Sequence, residues 1–232
     1  MAAPELRLGL MVPANNTTME SELLAWLPGG SSCRTLHIPR GEGLLGPAEI
    51  PAYVARALEL AKSYDPGQTD IVAYGCTAAG FIGGPARDAA IQQALAAVTG
   101  KPVVTTANAM VEVLRHIGAR RVAVVTPYLD PVNERLRAYL EQSGIAVARL
   151  ASFKAATTGE LAAITPRQIA ALARETMTPD SDAMFIACSQ LPTLEILDGL
   201  AREFGKPVWS SIKATAWHAQ RVLAGRTAAA AT

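Results

Sequence analysis

The chain of 232 residues is half hydrophobic, only 18% charged, and carries a net charge of +1, so it has no field that would gather nucleic acid or an anionic membrane surface. Its longest apolar runs reach about eight residues, far short of a bilayer span, and Met1-Ala-Ala-Pro-Glu-Leu-Arg7 lacks the apolar stretch of a secretory signal. Three cysteines, an odd number, argue against a disulfide framework and for a reducing, cytoplasmic setting.

In chain order, strand patterns cover 6–12, 32–38, 71–74, 103–105, 121–126, 146–151, 183–187 and 208–210. Between them, 50–63, 87–99, 107–117, 131–143, 166–176, 193–204 and 214–223 carry apolar residues at helical spacing. Strand followed by helix, repeated, implies an α/β protein with parallel sheets covered on both faces. Gly144, Gly205 and Gly225 stand where helices should stop. The segment 227–232 has no pattern and is expected to fray.

The chain repeats itself. Ile71-Val-Ala-Tyr-Gly-Cys76 is answered by Ala183-Met-Phe-Ile-Ala-Cys188, and the two thiols lie 112 positions apart. Arg7-Leu-Gly-Leu-Met-Val-Pro13 is answered by Arg121-Val-Ala-Val-Val-Thr-Pro127, and Gly100-Lys-Pro-Val103 by Gly205-Lys-Pro-Val208. A period this long is no solenoid unit. It implies two similar parallel-sheet α/β domains related by a pseudo-two-fold axis: 1–117, completed by 210–232, and 118–209. Facing halves would bring both sulfurs to the cleft between them.

Ligands of such sheets bind beyond the C-terminal strand ends. The loops there, 12–20, 75–81, 126–130 and 188–192, are rich in hydroxyls, amides and thiols and poor in charge. They suit a small polar ligand held by neutral donors. Cys76 stands at a strand-to-helix junction, where a helix N-terminus lowers a thiol pKa and favours the nucleophilic thiolate. The alternative is a small buried hydrophobe, and an equivalent Cys188 in the second half weighs against it. Cys33 has no counterpart and reads as structural. One of Asn15 and Asn16 suits a helix cap, leaving the other's amide for a ligand, with Glu20 in the first turn of a helix starting at Thr17 or Thr18. Tyr128 is a phenol placed to donate, or a residue buried at the domain seam. His37, His116 and His218 have no ligand spacing, so no metal is expected. The glycines between Gly80 and Gly84 match neither a phosphate loop nor a dinucleotide fingerprint, so no nucleotide cofactor is expected. Lys101 and Lys206 should lie at the opposite end of the strands.

Val12-Pro-Ala-Asn-Asn-Thr-Thr-Met-Glu20, Tyr74-Gly-Cys-Thr-Ala-Ala-Gly-Phe-Ile-Gly-Gly-Pro85 and Thr126-Pro-Tyr128 resemble the aspartate/glutamate racemase superfamily, in its maleate cis-trans isomerase and arylmalonate decarboxylase branch. Asp130-Pro-Val-Asn-Glu-Arg-Leu136 is equally similar to the decarboxylases, and the likeness spans nearly the whole chain. By that register Pro13 opens the site and Asn16 is the functional amide. The decarboxylases carry one catalytic cysteine, matching Cys188, and glycine at the position of Cys76, so two cysteines point to isomerases or racemases. The resemblance implies Cys76 as nucleophile, Cys188 as acid or base partner, and Asn16, Thr77, Ala78, Tyr128, Thr158 and Ser189 as substrate donors. Thr158 stands where isomerases have asparagine. The implied activity is cofactor-free cis-trans isomerisation of maleate or a related small dicarboxylate, in a homo-oligomer. The alternatives are a two-cysteine racemase of an amino acid or hydantoin, a decarboxylase of the arylmalonate type, and a non-catalytic diacid-binding protein.

Overall fold

The computed structural model describes residues 5–40 and 45–230, with 226–230 described by backbone alone. The described strands form two four-stranded parallel sheets. The first contains β1 (Arg7–Pro13), β2 (Ser32–Ile38), β3 (Ile71–Tyr74) and β4 (Val103–Thr105) in the order β2-β1-β3-β4. The second contains β5 (Arg121–Thr126), β6 (Ala146–Ser152), β7 (Ala183–Ile186) and β8 (Val208–Ser210) in the order β6-β5-β7-β8. The inner strands β3 and β7 are buried at every residue, as expected of parallel strands covered on both faces. Each large apolar side chain so buried contributes roughly 1.5–3 kcal/mol.

The repeat extends to single hydrogen bonds. Asp70, just before β3, takes the Arg7 amide at 2.8 Å; Asp182, just before β7, takes the Arg121 amide at 2.8 Å. The Pro102 carbonyl accepts from Val72 N–H, and the Pro207 carbonyl accepts from Met184 N–H, both at 2.9 Å. The repeated Gly-Lys-Pro-Val thus starts the outer strand of each sheet. Lys206 there donates to the carbonyls of Pro179 and Ser181.

The covering helices are α1 (Met19–Trp26), α2 (Ile50–Ala61), α3 (Thr77–Phe81), α4 (Pro85–Thr99), α5 (Thr106–His116), α6 (Asp130–Gln142), α7 (Thr158–Ala162), α8 (Pro166–Thr176), α9 (Leu197–Phe204) and α10 (Ser211–Ala230). The last helix leaves β8 and packs on α5 and α1 of the first half. Its Ile212, Ala216 and Ala219 close a core with Leu8, Leu10 and Leu23.

Three expectations change. The tail is helical as far as Ala230, since alanine has the highest helix propensity; residues 231 and 232 lie outside the described residues, as do Met1 to Pro4. Gly225 sits inside α10 rather than ending it, whereas Gly205 ends α9 with a φ of 61°. The stretch 193–196 is a turn because the Glu22 carboxylate takes the Thr193 amide at 2.7 Å and its hydroxyl at 3.0 Å, which delays α9 to Leu197. The short helices α3 and α7 carry too few residues to show a period.

Candidate active site

Both thiols open onto one cavity of about 220 Å³ at the C-terminal ends of the two sheets. Its lining includes Pro13, Asn15, Asn16, Arg40, Cys76, Thr77, Ala78, Tyr128, Cys188, Ser189 and Gln190, with Leu45, Leu129, Pro131, Val132 and Leu161 forming an apolar side.

Cys76 is the N-cap of α3, with φ −103° and ψ 96°. The backbone amides of Ala78 and Ala79 turn toward its sulfur. Gly75 allows this approach, because a Cβ there would stand 2.6 Å from Met19 Sδ and 3.0 Å from the Met11 carbonyl. The expectation that the helix end lowers the Cys76 pKa does not hold. Burial raises it, and the two amides, the Tyr53 hydroxyl and the Arg40 charge pull against that rise without cancelling it. Removing the thiolate from water outweighs a five-residue helix.

Cys188 holds a φ of 147°, a region disfavoured for any residue with a Cβ and costing roughly 1–3 kcal/mol. The turn is held by its own N–H, which donates to Ser211 Oγ at 3.0 Å, and by Gln190 N–H, which donates to its Sγ at 3.4 Å. Burial pushes this thiol up to about 11, with the Gln190 amide and Tyr128 hydroxyl opposing and the neighbouring Cys76 adding to the rise.

The loop after β1 is tied to the loop after β7. Asn16 Nδ2 donates to the carbonyl and Oγ of Ser189, both at 3.2 Å, and Thr17 N–H donates to Gln190 Oε1 at 3.1 Å. Ser189 Oγ donates to the Gly75 carbonyl at 2.6 Å. Ser211 joins the thiol loops, since Thr77 Oγ1 donates to its oxygen at 3.4 Å. The two demands placed on the asparagine pair fall on one residue: Asn16 Oδ1 caps α1 by accepting from Thr18 and Met19, while its amide faces the second half. Asn15 lines the cavity, and its Oδ1 is buried with no hydrogen-bond partner among the described residues. Helix α1 begins at Met19, with Glu20 in its first turn.

Tyr128 is fixed through its backbone, its carbonyl accepting from Asn133 Nδ2 at 2.9 Å and Ser152 Oγ at 2.5 Å. Its ring meets Phe81 edge-on at 5.5 Å. The hydroxyl faces Cys188, Cys76 and Thr77 but makes no hydrogen bond among the described residues. Burial raises its pKa well above ten, so it faces the cavity as a neutral donor.

Thr158 is the exception among the expected site residues. It opens α7 half-buried outside the cavity lining, after Thr157 caps that helix by accepting from Glu160 N–H; Leu161 is the α7 residue that reaches the cavity. Cys33 lies on β2, away from the cavity, and contacts Thr35 Oγ1 at 3.5 Å. Residues not anticipated are Arg40, Gln190, Tyr53 and Ser211. Arg40 is the only charged residue lining the cavity among the described residues. It follows the end of β2, and Ser211 follows the end of β8, two strand ends as informative as those of β3 and β7. Among the described residues no cluster of three or more His, Cys, Asp or Glu is placed to hold a metal, and no helix is long and apolar enough to cross a membrane.

The family model described as arylmalonate decarboxylase matches residues 8–232. The chain is 34% identical over 232 residues to a maleate isomerase of Nocardia farcinica, covering 94% of this chain and 90% of that protein. The crystal structure of the maleate isomerase Iso from Pseudomonas putida S16 superposes with a TM-score of 0.88 at 26% identity, covering 95% of this chain and 93% of that one. A cysteine-to-serine mutant of the Nocardia farcinica maleate cis-trans isomerase, carrying a covalently bound succinylcysteine intermediate, superposes with a TM-score of 0.87 at 31% identity, over 95% of this chain and 93% of its own.

Proposed function

The chain belongs to the arylmalonate decarboxylase family, and we propose that within it the protein is a cofactor-independent cis-trans isomerase of maleate or a close cis-enedioate, working through a covalent adduct on Cys76. The observation that carries this reading is the pair of thiols in one cavity, Cys76 at a helix start and Cys188 beside it.

The chemistry follows from the bond that must turn. Rotation about a carbon–carbon double bond is slow, and a nucleophile bypasses it by making that bond single. The Cys76 thiolate adds to one alkene carbon; a carbon–sulfur bond forms and the π pair moves into the adjacent carboxylate as an enediolate. The carbon–carbon bond rotates, the pair returns, and the thiolate leaves the trans product. Asn16, Thr77, Tyr128 and the amides of Ala78 and Ser189 are the proposed donors to the two carboxylates, and Pro13 shapes the entrance. Such donors contribute roughly 3 kcal/mol each when aimed at developing charge. Arg40 adds the one full positive charge a dianion needs. Cys188, with its raised pKa, is protonated at rest; it either stays so or lends its proton to the enediolate carbon and takes it back before the carbon–sulfur bond breaks, leaving no net change in protons.

Thr158 has no direct part in this scheme. The working unit is taken as two domains, 1–117 with 210–232 and 118–209, as the internal repeat implies, in a cytoplasmic setting, as cysteine usage implies, and in a homo-oligomer, as the family resemblance implies. Incubation with maleate, followed by proton NMR for fumarate, tests the reading. Absence of fumarate, together with solvent deuterium entering a chiral acid substrate, would replace it with two-base racemisation by the same thiols.

A further inference from the structure

Tyr53 lies in the first turn of α2 and is fully buried, outside the cavity lining. Its ring packs against Tyr74 at 6.5 Å. Its hydroxyl faces the Cys76 sulfur yet has no hydrogen-bond partner among the described residues. Buried hydroxyls are as a rule partnered. A neutral thiol is only a weak acceptor, whereas a thiolate accepts a charge-assisted bond.

We propose that Tyr53 is a positioning residue for Cys76: its phenol, outside the cavity lining, donates a hydrogen bond to the ionised form and so favours the thiolate. The inference rests on the reading of Cys76 as nucleophile and adds to it a residue that never touches substrate. Among the described residues, the other titratable or charged groups facing Cys76 are Arg40 after β2, Tyr74 on β3, and Tyr128 and Cys188 from the second half. With the amides of Ala78 and Ala79 also turned to the sulfur, Tyr53 adds to a set of neutral donors around Cys76. Tyr128, from the loop after β5, turns its hydroxyl to Cys188, but it lines the cavity and so is open to substrate as well.

The test is the alkylation of Cys76 by iodoacetamide in Tyr53→Phe, resolved from Cys188 by peptide mass mapping and followed on the rising limb of the pH profile. The ring and its packing remain. The Cys76 pKa is expected to rise by about one unit, making alkylation of Cys76 about tenfold slower at each pH on that limb. Alkylation of Cys188 and the melting temperature should match wild type, and kcat for isomerisation should fall with KM unchanged. Cys76 alkylation as fast as wild type overturns the proposal. Equal slowing of Cys188, or a lowered melting temperature, overturns it in favour of a packing role. Alkylation uses no substrate, so a failure here is distinct from an error in the assigned reaction.

Discussion

The two halves place a thiol at the same point of the same sheet and then surround it differently. Cys76 follows β3 in a relaxed extended conformation, at the start of a helix, where burial raises its pKa and the Ala78 and Ala79 amides, the Tyr53 hydroxyl and the Arg40 charge pull against that rise. Cys188 follows β7 with a φ of 147°, leads into a non-helical turn, and is held up to about 11 by burial and by Cys76 itself. The repeat sets position; the neighbours of each sulfur set its charge. Under the proposed mechanism this difference fits a nucleophile in the first half and a proton carrier in the second.

The strongest way to break this comparison is to delete each thiol in turn. Cys76→Ala should leave the melting temperature close to wild type and abolish maleate turnover by a factor of roughly a thousand or more, since no neighbour replaces a thiolate in conjugate addition. Residual activity above about a tenth of wild type would remove Cys76 from the nucleophile role. Cys188→Ala should cost less, about a hundredfold in kcat, and should still permit a mass increase on Cys76 equal to one maleate. Equal and complete loss in both variants, with no adduct, would make the thiols equivalent and favour racemisation.

Tyr128→Phe sharpens the contrast between the two phenols. It keeps the edge-on contact with Phe81 but removes a donor that lines the cavity, so kcat/KM for maleate should fall about tenfold to a hundredfold. A loss confined to KM would mean that the hydroxyl binds substrate without stabilising the intermediate.

The smallest expected effect lies where the halves are joined. Asp88 on α4 accepts from Thr105 Oγ1 at 2.8 Å and from Tyr139 Oη of α6, in the other half, at 2.9 Å, and burial raises its pKa to about 6. A carboxyl with a folded pKa above its unfolded value of 3.8 adds stability that is full below the unfolded pKa and is lost as pH rises through the folded one. Urea unfolding should therefore show this group stabilising the protein by on the order of 1 kcal/mol more at about pH 5 than at about pH 8. Asp88→Asn should flatten that difference, and an unchanged pH slope in the variant would assign the effect elsewhere.

Much of the architecture was legible in the amino-acid order. Five of the strands, at 32–38, 71–74, 103–105, 121–126 and 208–210, have the same bounds in the structure as in the pattern. Four-residue buried strands such as Ile71–Tyr74 and Ala183–Ile186 are apolar throughout because both faces are covered, and a run ending in a polar loop marks the end where ligands bind. Pro13, Asn16, Cys76, Thr77, Ala78, Tyr128, Cys188 and Ser189 all come to one cavity for that reason. Thr158 does not, because the course of the chain after β6 depends on the cap of α7 and on packing, neither of which has a period to read.

The sequence by itself determined the duplicated parallel α/β plan and the pairing of the two thiols, because strand period, burial on both faces and turn residues are local properties repeated at a fixed offset. Only the tertiary structure decided what each sulfur meets. Tyr53, Arg40 and Ser211 reach the thiol loops from α2, the end of β2 and the start of α10, and the Asn16–Ser189 bond spans 173 positions. Electrostatics falls off with distance in space and ignores separation along the chain, so the charge on Cys76 and Cys188 becomes readable only once the two halves are brought face to face.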